Sequence, residues 1–306
     1  KHYEKHYWRA NARVATGTKN LNSTSETTWR WEDMTLEKRE EEYSPSSRID
    51  NIEPYISAYI AKSEEARKKI GEGKEFSYGS RPSQRIDFFV PPNNKDKKFP
   101  LLVFIHGGYW QELSKKESSF AAPAWVENEI AFAAIDYTLA PEVSLQEIVK
   151  ECQDAISWMI SEAEQLSIDT NRIVLVGSSA GAHLAAMTAM EIPVRATVLI
   201  SGIYELRPLV GTYINEALNL NLNEAKELSP LHKDLRDFPE TVICWGEIET
   251  EEFKTQSRQF ANRLTDQEIP SMVFEVAERN HFDVVFELTD LSTQMGRELL
   301  SYLREV

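Results

Sequence analysis

The order of elements along the 306 residues predicts an α/β fold, with a mostly parallel central sheet and helices on both faces. Three observations carry this expectation. From about residue 76 onward, short runs rich in β-branched residues alternate with longer stretches whose apolar positions recur at helical spacing. Several of the short runs are apolar at every position, as strands covered on both faces are. One of them, Arg172-Ile173-Val174-Leu175-Val176, leads straight into Gly177-Ser178-Ser179-Ala180-Gly181 and then into a run of helix formers.

Taken in order, the chain opens with a polar, charge-rich arm over 1–45 that nonetheless carries Tyr3, Tyr7, Trp8, Trp29, Trp31 and Tyr43. Disordered tails are poor in aromatics, so part of the arm is expected to pack on the body at 46–306. Residues 48–69 read as a helix stopped by Gly71 and Gly73. Residues 85–90 read as a strand stopped by Pro91 and Pro92, 95–98 as a charged turn, and 99–105 as a buried strand. A helix over 114–128 and a strand over 130–136 come next. In 144–165, Leu145, Ile148, Val149, Cys152, Ile156, Met159 and Ile160 fall at helical spacing. Beyond the serine, strands are expected at 194–200, 241–245 and 272–276, with helices at 251–264 and at the C-terminal end. Residues 203–238 lack clean periodicity, which makes them the expected site of a lid or cap. No internal repeat is visible.

Composition narrows the function classes. A hydrophobic share of 42% supports a large core, and a net charge of −15 argues against an extended nucleic-acid or anionic-membrane surface. The two cysteines, Cys152 and Cys244, fall in a helical and a strand pattern and read as buried thiols, which favours a reducing compartment. No run of about eighteen apolar residues occurs, and no apolar leader opens the chain. The first residue is Lys1, so a leader removed earlier stays open; cytoplasmic is the expected location. Oligomeric state is not legible, with a homodimer as the default.

The glycine-flanked serine fits G-x-S-x-G, and its strand-to-helix setting is that of a nucleophile elbow centred on Ser179. A serine hydroxyl needs a positioned base. In this arrangement the chain order is serine, acid, histidine, and only His232 and His281 follow Ser179. His232 precedes the strand at 241–245, too early for an acid placed after that strand. His281 lies in a polar loop after the last strand and is the candidate base. The acid is sought in Gly246-Glu247-Ile248-Glu249-Thr250-Glu251-Glu252. Glu249, three residues beyond Gly246, is preferred and Glu247 is the alternative; Glu251 and Glu252 suit the first turn of the next helix. The strand at 99–105 runs into His106-Gly107-Gly108-Tyr109-Trp110, whose glycines let backbone N–H groups point inward as an oxyanion hole, with the N–H of Ala180 as partner. His106 is read as a structural hydrogen bonder and His183 as packing beneath the elbow. No H-E-x-x-H, paired-cysteine or G-x-G-x-x-G motif is present, so neither metal nor cofactor is expected.

These residues resemble the α/β-hydrolase superfamily and, within it, the kynurenine formamidases (arylformamidases). The pattern His106-Gly107-Gly108-Tyr109-Trp110 is similar to theirs, since esterases related to hormone-sensitive lipase usually carry a third glycine. Glu42 to Ser47, Asp136 to Pro141 and Phe253 to Ser257 agree, and the likeness runs from about residue 40 to the end. The resemblance implies Ser179 as nucleophile, Glu249 as acid, His281 as base, and Gly108, Tyr109 and Ala180 as oxyanion donors. It implies hydrolysis of an aryl formamide such as N-formylkynurenine, a reaction of tryptophan catabolism, without a cofactor. Glu249 departs from the aspartate of animal formamidases and suggests a relative with its own substrate. Trp110 and Phe282 are candidate walls for an aromatic leaving group; otherwise both fill core. The competing readings are a broad carboxylesterase, an amidase acting on another secondary metabolite, and a hydrolase-fold binding protein without catalysis.

Overall fold

A computed structural model describes residues 30–92 and 97–304. Tyr3, Tyr7, Trp8, Trp29 and the first half of the turn expected at 95–98 lie outside the described residues. Eight strands form one sheet in the order β1-β2-β4-β3-β5-β6-β7-β8. They are β1 (Lys74–Ser77), β2 (Arg85–Phe89), β3 (Phe99–Ile105), β4 (Ala131–Ile135), β5 (Ile168–Ser178), β6 (Ala196–Ile200), β7 (Glu240–Ile248) and β8 (Ser271–Asn280). The first two form an antiparallel edge, with β2 antiparallel to β4. All other pairings are parallel.

Ten helices accompany the sheet among the described residues: α1 (Leu36–Glu42), α2 (Glu53–Ile70), α3 (Ala122–Val126), α4 (Leu145–Ser161), α5 (Ala163–Leu166), α6 (Ala180–Ala189), α7 (Asn215–Leu218), α8 (Leu222–Glu227), α9 (Glu251–Asp266) and α10 (Gln294–Arg304). Every residue of β3, β4 and β6 is buried, because helices cover both faces. Alternation along β3 divides the core in two. Leu101, Val103 and Ile105 join one layer with residues of α4, α6 and α9. Leu102 and Phe104 join the other, with residues of α2, α3 and α10. No helix among the described residues is long and apolar enough to cross a membrane.

The helix boundaries differ from the sequence pattern where proline or a buried charge intervenes. Pro54 is accommodated only in a first turn, so α2 begins at Glu53 rather than 48, after a 3-10 turn at Pro45–Arg48. The helix expected over 114–128 is replaced by a 3-10 turn at Lys115–Glu117 and the short α3. Lys115 turns inward there to meet Asp87 at 2.6 Å and Glu75 at 2.9 Å, and Pro123 starts a fresh helix. The helix expected over 144–165 divides at Glu162 into α4 and α5. Both cysteines are buried free thiols, and burial pushes the thiol of each upward in pKa.

Residues after 30 lie against the body. Arg39 donates to the carbonyls of Pro208 (3.0 Å) and Val210 (2.9 Å), and Thr250 donates to the carbonyl of Glu42 (2.6 Å). Tyr43 is buried, and its hydroxyl donates to Glu252 at 3.0 Å. Segment 203–238 packs on α1 and the preceding loops, with Ser44 and Tyr213 hydroxyls 2.6 Å apart.

Candidate active site

The serine at the end of β5 is held in a backbone conformation that side chains rarely adopt. Ser179 has φ 58° and ψ −122°, between the last residue of β5 and the first of α6. Such strain persists only when the surroundings over-determine it. Here the Ser179 N–H donates to the carbonyl of Ile200 at 2.8 Å, tying the turn to β6. A Cβ at Gly181 would stand 2.0 Å from the carbonyl oxygen of Ile105, and one at Gly177 would stand 2.1 Å from that of Gly181. Bulk is therefore excluded at both flanks, and α6 sits directly against the end of β3.

Two further loops deliver the partners. Ser179 Oγ lies 2.9 Å from His281 Nε2, and His281 Nδ1 lies 2.8 Å from Glu249 Oε2. A carboxylate only accepts, so Nδ1 carries the proton and Nε2 is left to accept from the serine hydroxyl. Glu249 is buried, and its other oxygen accepts from the Gly246 N–H (2.7 Å) and from Ser201 Oγ. Three donors thus replace water around the carboxylate. Glu247 points elsewhere: it is exposed and accepts from the Glu278 N–H. The loop carrying His281 is pinned by Asn280, whose side chain accepts from the Phe282 N–H (2.8 Å) and donates to Tyr55 (2.8 Å). The hydroxyl of Tyr59 donates to the carbonyl of Phe282.

Ser179 and His281 open into a cavity whose wall includes Gly107, Gly108 and Tyr109 on one side and Phe104, Phe120, Phe282 and Val285 on another. Pro45, Ile56 and Tyr59 complete it from the N-terminal side. No residue of segment 203–238 lines it among the described residues. Gly108 has φ +90° and Tyr109 φ +50°, so the chain turns sharply where these two residues line the cavity. Among the described residues nothing accepts from the N–H of Gly108 or Tyr109. Ala180 opens α6, where an N–H has no partner inside the helix. These amides border a hydroxyl–imidazole–carboxylate chain, an arrangement able to carry out acyl transfer.

Known proteins resemble this chain in sequence and in fold. Residues 86–199 match the BD-FAE family model. The chain is 28% identical over 292 residues to the kynurenine formamidase of Danio rerio, covering 89% of this chain and 98% of that protein. It is 29% identical over 294 residues to the kynurenine formamidase of Salmo salar, covering 90% and 98%. Its fold superposes on a hyperthermophilic esterase from the archaeon Pyrobaculum calidifontis with a TM-score of 0.68, at 20% identity, covering 88% of this chain and 92% of that one. The chain has the α/β-hydrolase fold and resembles kynurenine formamidases.

In this hydrolase the two aromatic residues considered as walls part company. Phe282 lines the cavity, its ring centroid 5.4 Å from that of His281. Trp110 does not reach it. With φ +61° the backbone swings the indole inward, where it is completely buried and donates through Nε1 to His183 Nδ1 at 3.2 Å. Tyr59 and Phe120 stand in the wall instead. His183 is buried, and desolvation lowers its pKa to about 4, so it is neutral. His106 stacks on Tyr137 with centroids 4.3 Å apart and reaches Asp136 at 3.3 Å. Sequence reasoning missed Ser201, a lone buried serine after β6 that no motif marks. It also missed Tyr55, Tyr59 and Asn280, whose contacts span more than two hundred positions. The Pro45 wall had a signal in the aromatic, proline-bearing stretch before α2, and Ile56 lies in α2 itself, but nothing local pointed either at the serine.

Proposed function

We propose that this hydrolase cleaves an aryl formamide of the N-formylkynurenine type by serine acyl transfer. The observation that carries the reading is the hydrogen-bonded chain Ser179–His281–Glu249, whose serine and histidine line a cavity that also holds the rings of Tyr59, Phe104, Phe120 and Phe282. The kynurenine formamidases it resembles over nearly their whole length supply the substrate class. Ser179 Oγ attacks the formyl carbon while His281 Nε2 takes the hydroxyl proton, and Glu249 stabilises the imidazolium. The carbonyl oxygen becomes an oxyanion accepting from the amides of Gly108, Tyr109 and Ala180. Collapse breaks the C–N bond as His281 returns its proton to the leaving nitrogen, freeing the arylamine. Water, deprotonated by His281, then attacks the formyl ester and releases formate and Ser179.

Formyl is the smallest acyl group, and it suits a serine crowded by Gly107, where an added Cβ would stand 3.1 Å from Ser179 Cβ. Tyr59, Phe104 and Phe120 offer rings to an aromatic leaving group. The test is a panel of N-formylkynurenine, formanilide, short p-nitrophenyl esters and larger aryl amides, assayed on the parent and Ser179→Ala. Preferential formamide turnover, abolished in Ser179→Ala, is the expected result. Efficient ester cleavage without formamide turnover would instead make the protein a carboxylesterase using the same groups.

A further inference from the structure

The loop that presents Gly108 and Tyr109 is strained over several residues. Gly108, Tyr109, Trp110 and Leu113 have φ of 90°, 50°, 61° and 69°. Left-handed conformations are disfavoured at the three non-glycine residues, so the loop needs anchors to stay in place. Tyr109 donates to the carbonyl of Tyr43 at 2.5 Å, and the carbonyl of Trp110 accepts from the Ala140 N–H at 2.9 Å. The third anchor differs in kind, because it joins the loop to the helix that carries the nucleophile. Trp110 Nε1 donates to His183 Nδ1 at 3.2 Å, and the two rings meet edge-to-face at 5.0 Å and 85°. An indole N–H only donates, so Nδ1 must be the acceptor and Nε2 carries the proton. Nε2 lies 2.8 Å from the carbonyl of Leu228, which can only accept. The backbone N–H of His183 in turn bonds to the carbonyl of Ser179 at 3.3 Å.

We propose that Trp110 and His183 are positioning residues that fix the spacing between the two halves of the oxyanion hole. One half, the Gly108 and Tyr109 amides, rides on the loop that Trp110 anchors. The other half, the Ala180 amide, opens the helix in which His183 sits one turn further on. A bond between the two elements sets how far apart the donors stand when charge develops on the substrate oxygen. Both side chains are completely buried, and neither lines the cavity, so they act through the backbone they hold. The inference rests on the acyl-transfer reading above.

The test compares the parent, Trp110→Phe, His183→Leu, the double variant and Ser179→Ala. For each, kcat and KM on the best formamide or ester are measured, with inhibition by an aryl trifluoromethyl ketone and the rate of fluorophosphonate labelling. Trp110→Phe keeps an aromatic ring but loses the indole N–H donor together with part of the ring's buried volume. It is expected to lower kcat and ketone affinity together by about ten- to a hundredfold, with KM changed less than about twofold. His183→Leu should do at least as much, since it also removes the bond to the Leu228 carbonyl, and the double variant should be no worse than the poorer single variant, because both singles remove the Trp110–His183 bond. If both single variants melt at lower temperature yet keep parental kcat, ketone affinity and labelling rate, the pair is structural only and the proposal falls. A Ser179→Ala variant that still labels and turns over would remove the acyl-transfer reading, and the positioning role with it. Those two failures are separately visible.

Discussion

Burial of His183 should make part of the stability of this hydrolase depend on pH, beginning near neutrality where ordinary carboxylates are already ionised. In the unfolded chain a histidine takes up its proton near pH 6.5; in the fold, desolvation lowers His183 to about 4. Between those values the unfolded state binds more protons, so stability falls as pH falls. The contribution is intact above pH 6.5 and is lost progressively down to about pH 4. The full difference of about 2.5 units corresponds to about 3 kcal/mol, of which about 2 kcal/mol falls between pH 7 and pH 5. The assay is urea unfolding followed by tryptophan fluorescence at both pH values, on the parent and on His183→Asn and His183→Gln. These amides cannot titrate but can still accept from Trp110 and donate to the Leu228 carbonyl. Whatever their absolute stability, the variants should lose about 2 kcal/mol less than the parent on going from pH 7 to pH 5. Equal losses would refute the reasoning, because they would mean that His183 protonates in the fold as readily as in water.

Two further predictions follow from the site and the elbow. Glu249→Gln leaves the size of the side chain unchanged but removes the charge facing His281 Nδ1, and should cut kcat by about a thousandfold or more. Glu247→Gln, whose exposed carboxylate accepts from the Glu278 N–H, should stay within about twofold; the opposite order in steady-state assays would reassign the acid. Gly181→Ala places a methyl group 2.0 Å from the Ile105 carbonyl, a backbone atom that cannot swing aside. It should cost about 3 kcal/mol or more, or abolish soluble expression, whereas a parental melting temperature would show that α6 can slide.

Much of this molecule could be read locally. The strand expected at 99–105 is β3 with the same limits, and its unbroken apolar run stated in advance that both faces are covered. Ser179 could be read because the elbow is a contiguous pattern, and His281 because few histidines follow it. Glu249 could be narrowed by spacing but not separated from Glu247, since both are glutamates in one loop. The separation came from burial: one carboxylate turned inward to Ser201 and Gly246, the other outward. The helix expected over 114–128 failed because Lys115 is drawn inward by Asp87 and Glu75, partners that are distant in sequence.

The sequence by itself determined the alternation of strands and helices, the strained serine turn and the residue types that acyl transfer requires. These follow from period, steric allowance and hydrogen-bonding capacity, which are properties of short stretches of chain. Tertiary structure alone decided that the Trp110 ring turns away from the cavity to His183, that Ser201 supports Glu249, and that Pro45, Ile56 and Tyr59 stand over the serine. Each of these depends on the backbone direction at a single turn or on a partner far along the chain, and periodicity contains neither.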